Sequence, residues 1–244
     1  MQVDAFTIRL RTRTNMEAAD LGVRLCQSTA RSVFGCYAPV VLPVIALALA
    51  LFEVAPWLPG LMLWLSKPWL DRTILFVLSR AAFGQPAAPA DLWRARRQVW
   101  WGQIVRTWTT QRLSPWRAFT QPVIQLEGLS GSELRKRVAV IRTGKRGAAL
   151  LMTTAFAVAE LALIVALLSL PDWFAPQRHQ PGLLAVVFGE QYISAFFAIT
   201  CAYAVMVAFL EPFHVAAGFA MYLNRRVELE AWDIEQEFRR AFPA

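Results

Sequence analysis

The sequence predicts an all-α polytopic membrane protein: two transmembrane helical hairpins with amphipathic cytoplasmic helices. Three observations carry that expectation. A charge-poor apolar run, Ala148 to Leu170, follows directly on a densely basic one, Arg135 to Arg146. At ~1.5 Å rise per residue such a run reaches roughly 35 Å, enough for the ~30 Å hydrocarbon layer. The chain is 57% hydrophobic and only 17% charged, against an average of about 25% charged, and its apolar residues fall in runs. Finally, with two hairpins, Arg178 is the only lysine or arginine left outside. That split predicts that both termini face the cytoplasm, N-in and C-in.

The first segment, residues 1–33, reads as a cytoplasmic arm ending in an amphipathic helix. Thr14-Asn15-Met16-Glu17 has the T-x-x-E spacing of a capping box, in which the hydroxyl and the carboxylate each satisfy a free backbone N–H. A helix from Asn15 to Val33 is expected. Asp4, Glu17 and Asp20 argue against a cleaved secretory leader. Residues 34–66 form the first membrane hairpin. Phe34 to Phe52 is its first apolar run, halted at Glu53; "VAPWLPGLMLWLS" is the second. The second run, at about 13 residues, is short of the ~17 a straight crossing needs, which leaves a thinned span or a re-entrant half-helix open.

Residues 67–147 make a basic cytoplasmic segment with interfacial helices. Pro68 sits well in the first turn of a new helix with Asp71 near its positive end, and this helix is expected along the interface. Asp91 is the expected N-cap of the next, whose Trp93, Trp100, Ile104 and Trp108 share one face, widened by Trp101 and Val105, with Arg94 and Arg97 among the tryptophans. Tryptophan mixed with arginine suits headgroup depth; packing of this face on the protein's own membrane helices is the alternative. "RLSPWRAFTQPVIQLEGLSGSELRKR" is broken by proline and glycine and reads as an irregular connector. Within it Ser130 and Glu133 form a second capping box, expected to open the helix that becomes the third membrane run.

The second hairpin spans residues 148–223. "PDWFAPQRHQPG" stops any helix, and Tyr192 to Leu223 is apolar except at Glu211, Pro212 and His214. That stretch is too long for one straight span, and Pro212 is expected to kink it. The depth of Glu211 depends on which part crosses. Residues 224–244 form a cytoplasmic helix with a seam of Leu223, Val227, Ala231, Ile234 and Phe238 and with i,i+4 pairs Arg226–Glu230 and Glu235–Arg239. Being as acidic as it is basic, this helix is expected to dock on protein.

The formal charge of +8 points to the anionic leaflet and not to nucleic acid, because such an excess in a membrane protein faces acidic lipid. Cys26, Cys36 and Cys201 form no CxxC pair, so neither a disulfide framework nor a zinc site is indicated. No nucleophile pattern or cofactor fingerprint is visible, and no cofactor is expected. The polar residues that demand a reason are Glu160, midway along the third run, with Glu211 and His214. An acidic group at that depth costs on the order of 3 kcal/mol and faces a bundle interior or a pathway. Either Glu160 is a protonated acid bonded to a hydroxyl such as Thr200 or Tyr203, or it joins Glu211 and His214 in a proton or cation site. Glu211 and His214 have the E-x-x-H spacing of half a di-iron site, but the second half is missing.

Four blocks, "RTRTNMEAADLG" (Arg11 to Gly22), "KPWLDRTILFVLSRAAFGQ" (Lys67 to Gln85), "RLSPWRAFTQPVIQLEGLSG" (Arg112 to Gly131) and "EPFHVAAGFAMYLNRRVELEAWDIEQEFRR" (Glu211 to Arg240), span most of the chain. They resemble a family of polytopic inner-membrane proteins of Gram-negative bacteria, and the last also looks distantly like the end of membrane domains attached to glycerophosphodiester phosphodiesterases. The family has no recognised catalytic residues to carry over, and an aromatic stands in it where this chain has His214. Its members are often encoded beside MoxR-type AAA ATPases and transglutaminase-like membrane proteins, which implies a protein partner, such as a MoxR-type ATPase system. The expected function is therefore a non-catalytic scaffold or accessory subunit of an envelope-associated complex. The alternative is a small transporter or channel component using Glu160 and Glu211.

Overall fold

The computed structural model describes residues 13–102, 114–174 and 192–230, and every described element is helical. In chain order they are α1 (Asn15–Ser28), α2 (Ala30–Ala50), α3 (Leu58–Ala82), α4 (Pro89–Arg94), α5 (Arg117–Leu126), α6 (Gly131–Arg142), α7 (Arg146–Phe174) and α8 (Tyr192–Glu230). Three stretches are long and apolar enough to cross a membrane: Ala30–Glu53, Arg146–Leu170 and Ile193–Glu230. The run at 54–66 is not among them.

α1 starts where its capping residues place it, the Thr14 hydroxyl accepting the Glu17 N–H at 3.3 Å. The expected continuation to Val33 is interrupted at Thr29, which leaves helical geometry (φ −110°, ψ 19°) while its hydroxyl donates to the Leu25 carbonyl at 2.7 Å. The chain then turns into α2 and, through a tight turn at Leu51–Glu53, into α3. Pro68 does not begin a helix but lies inside one 25-residue rod. A proline removes a single hydrogen bond, and the burial of Leu70, Ile74, Leu75, Val77 and Leu78 beyond it outweighs that loss. The second half of α3 is core, not an interfacial surface.

Three further expectations change. Asp91 is not an N-cap; it sits one turn into α4, where its Oδ2 accepts the Ala88 N–H at 3.1 Å. The tryptophan-rich stretch is not one helix either: α4 stops at Arg94 and a π-helical turn covers Arg97–Trp101. Ile104, Val105 and Trp108 lie outside the described residues, as do the outer-turn residues Arg178 and His179 and the tail seam at Ala231, Ile234 and Phe238. The supposed connector holds α5, whose Ala118, Phe119, Thr120, Gln121, Val123 and Ile124 are all buried. Ser130 does precede α6, but its side chain makes no capping hydrogen bond, and the helix ends at Arg142, because Gly144 adopts φ +74° and reverses the chain before α7 begins.

α8 organises the rest. It is continuous for 39 residues through Pro212, roughly 58 Å at ~1.5 Å per residue, and it packs on α1, α2, α3, α5 and α7. Its inner half is built of small residues so that other backbones can approach closely. A Cβ added to Gly22 of α1 would meet the Ala216 carbonyl oxygen at 2.2 Å, and one added to Gly218 would meet the Ala118 backbone at 2.4 Å. Tyr37, Phe219 and Tyr222 fill the remaining space, the Tyr37 hydroxyl donating to the Val207 carbonyl at 3.1 Å.

Those close approaches generate a test. Gly22→Ala and Gly218→Ala should each destabilise the protein by about 1–3 kcal/mol through overpacking, read as a drop in thermal unfolding temperature in detergent. Gly147→Ala, with nothing within 4 Å of the new methyl, should be neutral or slightly stabilising.

Candidate functional site

Lys67 and Asp71 are one turn apart on α3, in a stretch otherwise made of core residues, and each is more than nine-tenths buried. A charge cannot remain there without a counter-charge, and α5, α7 and α8 supply the partners. Lys67 Nζ donates to both oxygens of Glu160 on α7, at 2.6 and 3.0 Å, and lies 3.1 Å from Glu211 Oε2 on α8. Arg117, in the first turn of α5, donates to the other Glu211 oxygen at 2.5 Å. Its Nε also lies 2.7 Å from Asp71 Oδ2, close enough for an ion pair but not aligned as a hydrogen bond. The result is a chain of alternating charge, Glu160–Lys67–Glu211–Arg117–Asp71, stitching four helices together.

His214, one turn beyond Glu211, places Nδ1 3.3 Å from Glu211 Oε1 and packs its ring 5.3 Å from Phe156. Lys67 Nζ also sits 5.1 Å above the Tyr203 ring, a favourable position for a cation over the negative ring face. A cavity of about 550 Å³ opens against this chain of charges, lined by Trp64, Lys67, Arg117, Thr153, Phe156, Glu160, Tyr203, Glu211 and His214 among others. Thr153 Oγ1 and His214 Nε2 are buried without a hydrogen-bond partner, as is the side-chain oxygen of Gln121, whose amide donates to the Pro68 carbonyl. Glu160 is the least buried of the three acids, with about a fifth of its side chain exposed.

Glu160, Glu211 and His214, singled out in the sequence, thus line one cavity. The partner of Glu160 is Lys67 and not the hydroxyl of Thr200 or Tyr203. Lys67, Asp71 and Arg117 escaped the sequence reading, which treated Lys67 as the start of a cytoplasmic segment. The available signal was their setting: Lys67 and Asp71 are opposite charges at i,i+4, set among Leu63, Trp64, Leu65, Trp69, Leu70 and Ile74. Among the described residues no group of three metal-ligating side chains is arranged to hold a metal ion. The Cys26 thiol, which burial pushes up to about 12, is unsuited to nucleophilic chemistry.

The tryptophans and arginines proposed for the lipid interface separate. Trp93 and Trp101 are exposed, at 62% and 68%, and Arg94 extends outward. Arg97 is exposed as well. Trp100 instead turns inward, its indole N–H donating to the Thr73 hydroxyl at 3.0 Å and its ring 5.7 Å from Trp69.

Removing one member of the chain of charges should show its coupling. Lys67→Met leaves Glu160 and Glu211 without their ammonium and is expected to cost about 3 kcal/mol or more, the range for breaking a buried pair. In a double-mutant cycle Lys67→Met with Glu160→Leu should cost less than the sum of the singles, measured by unfolding in mixed micelles. Strict additivity would show the pair to be uncoupled.

Comparison with protein-family models, with curated proteins and with solved structures finds no match to this chain.

Proposed function

We propose that the chain is a multi-pass protein of a bacterial inner membrane, N-in and C-in, the first half of α3 returning the chain to the side on which α2 begins. In this reading it serves as a non-catalytic scaffold or accessory subunit of an envelope-associated complex. The observation that carries the reading is the division of its surface. The large apolar side chains left exposed concentrate on the second half of α2 (Leu42, Leu47), the turn and start of α3 (Val54, Trp57, Leu61), the length of α7 (Leu151 to Leu170) and the first half of α8 (Ile193 to Phe209). Such a large exposed apolar surface is what lipid covers. The other ends of α3 and α8 close with α1 and α5 into a packed unit.

That unit is tied down at its edge by a second set of ion pairs. Arg137 on α6 bonds Glu127 at 2.7 Å and also Glu230; Lys145 and Arg225 both bond Glu228 at 2.8 Å; Arg226 bonds Glu230 at 2.6 Å. A rigid, charged cytoplasmic unit on a membrane anchor suits a docking role, with a MoxR-type ATPase system as the expected partner. The exposed Trp93, Trp101 and Arg94 beside it suit contact with the anionic leaflet.

Transport is the second reading, favoured by one observation: Glu160, Glu211 and His214 line a single cavity. Two measurements decide. Cysteine labelling at Gln98→Cys and Ala244→Cys should be blocked from the periplasmic side and Gln180→Cys should be labelled there; periplasmic labelling of Gln98→Cys would sink the topology. In proteoliposomes under an imposed pH gradient, wild type and Glu160→Gln should show the same proton flux if the protein is a scaffold. Flux in wild type that Glu160→Gln abolishes would replace the scaffold with a transporter.

A further inference from the structure

α3 and α7 both pack on α8 but scarcely touch one another. The groove between them is spanned at one level by the Lys67–Glu160 pair. Its walls at that level are aromatic, from Trp64 on α3, Phe156 on α7 and Tyr203 on α8, and the cavity of about 550 Å³ falls in the range of pockets that take small molecules. On α7, Leu161 at the edge of the face that carries Glu160 is exposed, as is Trp64 across the groove. The mouth is therefore bordered by surface suited to acyl chains while the floor is charged. An amphiphile fits that arrangement, its headgroup inside and its tails on the helix faces.

The charges select the headgroup. Two cations, Lys67 and Arg117, face three carboxylates, Asp71, Glu160 and Glu211, with His214 beside Glu211. An anion alone, entering between Lys67 and Glu160, would leave Glu160 without its ammonium and face Glu211 as well. A cation alone would displace Lys67 from its shortest contact. A zwitterion satisfies both partners of the pair it separates and leaves the net charge of the cavity unchanged, which is the condition for opening a buried ion pair cheaply. We propose that the groove binds the phosphoethanolamine headgroup of a membrane lipid, its ammonium on Glu160 and its phosphate on Lys67. Glu160 accepts N–H bonds that a quaternary ammonium does not offer. The Thr153 hydroxyl and His214 Nε2, buried and unpartnered at the cavity wall, are available to complete the shell. The inference rests on the membrane placement proposed above and not on the choice between scaffold and transporter.

The test uses the full-length protein, delipidated in detergent, with dioleoyl phosphatidylethanolamine, phosphatidylcholine or phosphatidylglycerol added in mixed micelles. Binding is read by native mass spectrometry and by the shift in unfolding temperature, which rises when a ligand binds the folded state. The ethanolamine lipid should bind about tenfold or more tightly than either of the others, and Glu160→Gln should erase that preference. Equal binding of phosphatidylglycerol, or an unchanged preference in a folded Glu160→Gln protein, overturns the proposal. Should the variant fail to fold, the wild-type protein carries the test with soluble probes: glycerophosphoethanolamine, which keeps the diester zwitterion, should stabilise it, and inorganic phosphate or ethylammonium should not. Stabilisation by phosphate alone overturns the headgroup assignment, and glycerophosphoethanolamine binding as tightly as the lipid overturns the lipid as its carrier. Failure of the membrane placement is read separately, by the cysteine labelling, and is not confused with failure of the headgroup.

Discussion

Charge compensation inside an apolar bundle is the constraint on which the other features depend. Lys67, Asp71, Arg117 and Glu211 are each taken almost wholly out of water, and the desolvation of such groups amounts to several kcal/mol per ion before any partner is counted. None of the four can be placed without the others, so the positions of α3, α5 and α8 are mutually fixed, and Glu160 brings in α7. Hydrophobic burial supplies most of the stability, but it is non-directional and tolerates sliding or rotation of a helix. A chain of alternating charges does not tolerate them: a shift of one helix by a residue would separate Lys67 from Glu160 or Arg117 from Asp71. In this protein the ion pairs set the register and the small-residue contacts at Gly22 and Gly218 set how closely the helices approach.

This division of labour explains what the sequence reveals and what it conceals. The starts of α1 and α6, the three long apolar stretches and the Arg226–Glu230 pair are local or periodic features, written within a few residues of one another, and the structure has each of them. Lys67 and Glu160 are 93 residues apart and Arg117 and Glu211 are 94 apart. No spacing rule reaches that far. What a sequence does offer is the anomaly itself. Glu160 and Glu211 stood out because each interrupts a long apolar run, whereas Lys67 and Asp71 escaped because the run before them is short and ends in a proline, the usual mark of a boundary.

Pro68 and Pro122 make the same point about punctuation. Both suggest breaks, and both lie inside buried helices. A proline removes one donor and strains one turn, a local penalty that a helix buried on all sides can absorb. Around Pro68, Leu63, Leu70, Ile74, Leu75, Val77 and Leu78 are core; around Pro122 the buried residues of α5 are held between α3 and α8, with the Gln121 and Gln125 amides donating to the Pro68 and Arg72 carbonyls at 3.1 and 2.9 Å. The first of those bonds satisfies a carbonyl at the proline itself, so one helix steadies the other where each is locally weak. Gly144 behaves oppositely: its positive φ ends α6 although residues on both sides favour helix, since no burial compensates for a reversal that the backbone itself adopts.

The same accounting bears on function. An ion chain that served only to hold helices in register would be most stable with every polar atom satisfied and no space beside it. Here the chain is nearly self-sufficient in charge, yet it borders a cavity, its outermost acid keeps part of its carboxylate open, and two wall residues hold unpartnered polar atoms. Unsatisfied buried groups cost on the order of 1–3 kcal/mol each, and in a site this well compensated they mark where the structure departs from its most stable packing. Thr153 Oγ1 and His214 Nε2 lie on the α7 and α8 side of the cavity, and both Asp71 oxygens, Arg117 Nε and the Gln121 oxygen lie at the other end of the chain of charges. What separates the two ends is access: Asp71 is wholly buried while Glu160 keeps about a fifth of its side chain open, so the Lys67–Glu160 pair is the point of the chain of charges that a ligand or proton reaches first.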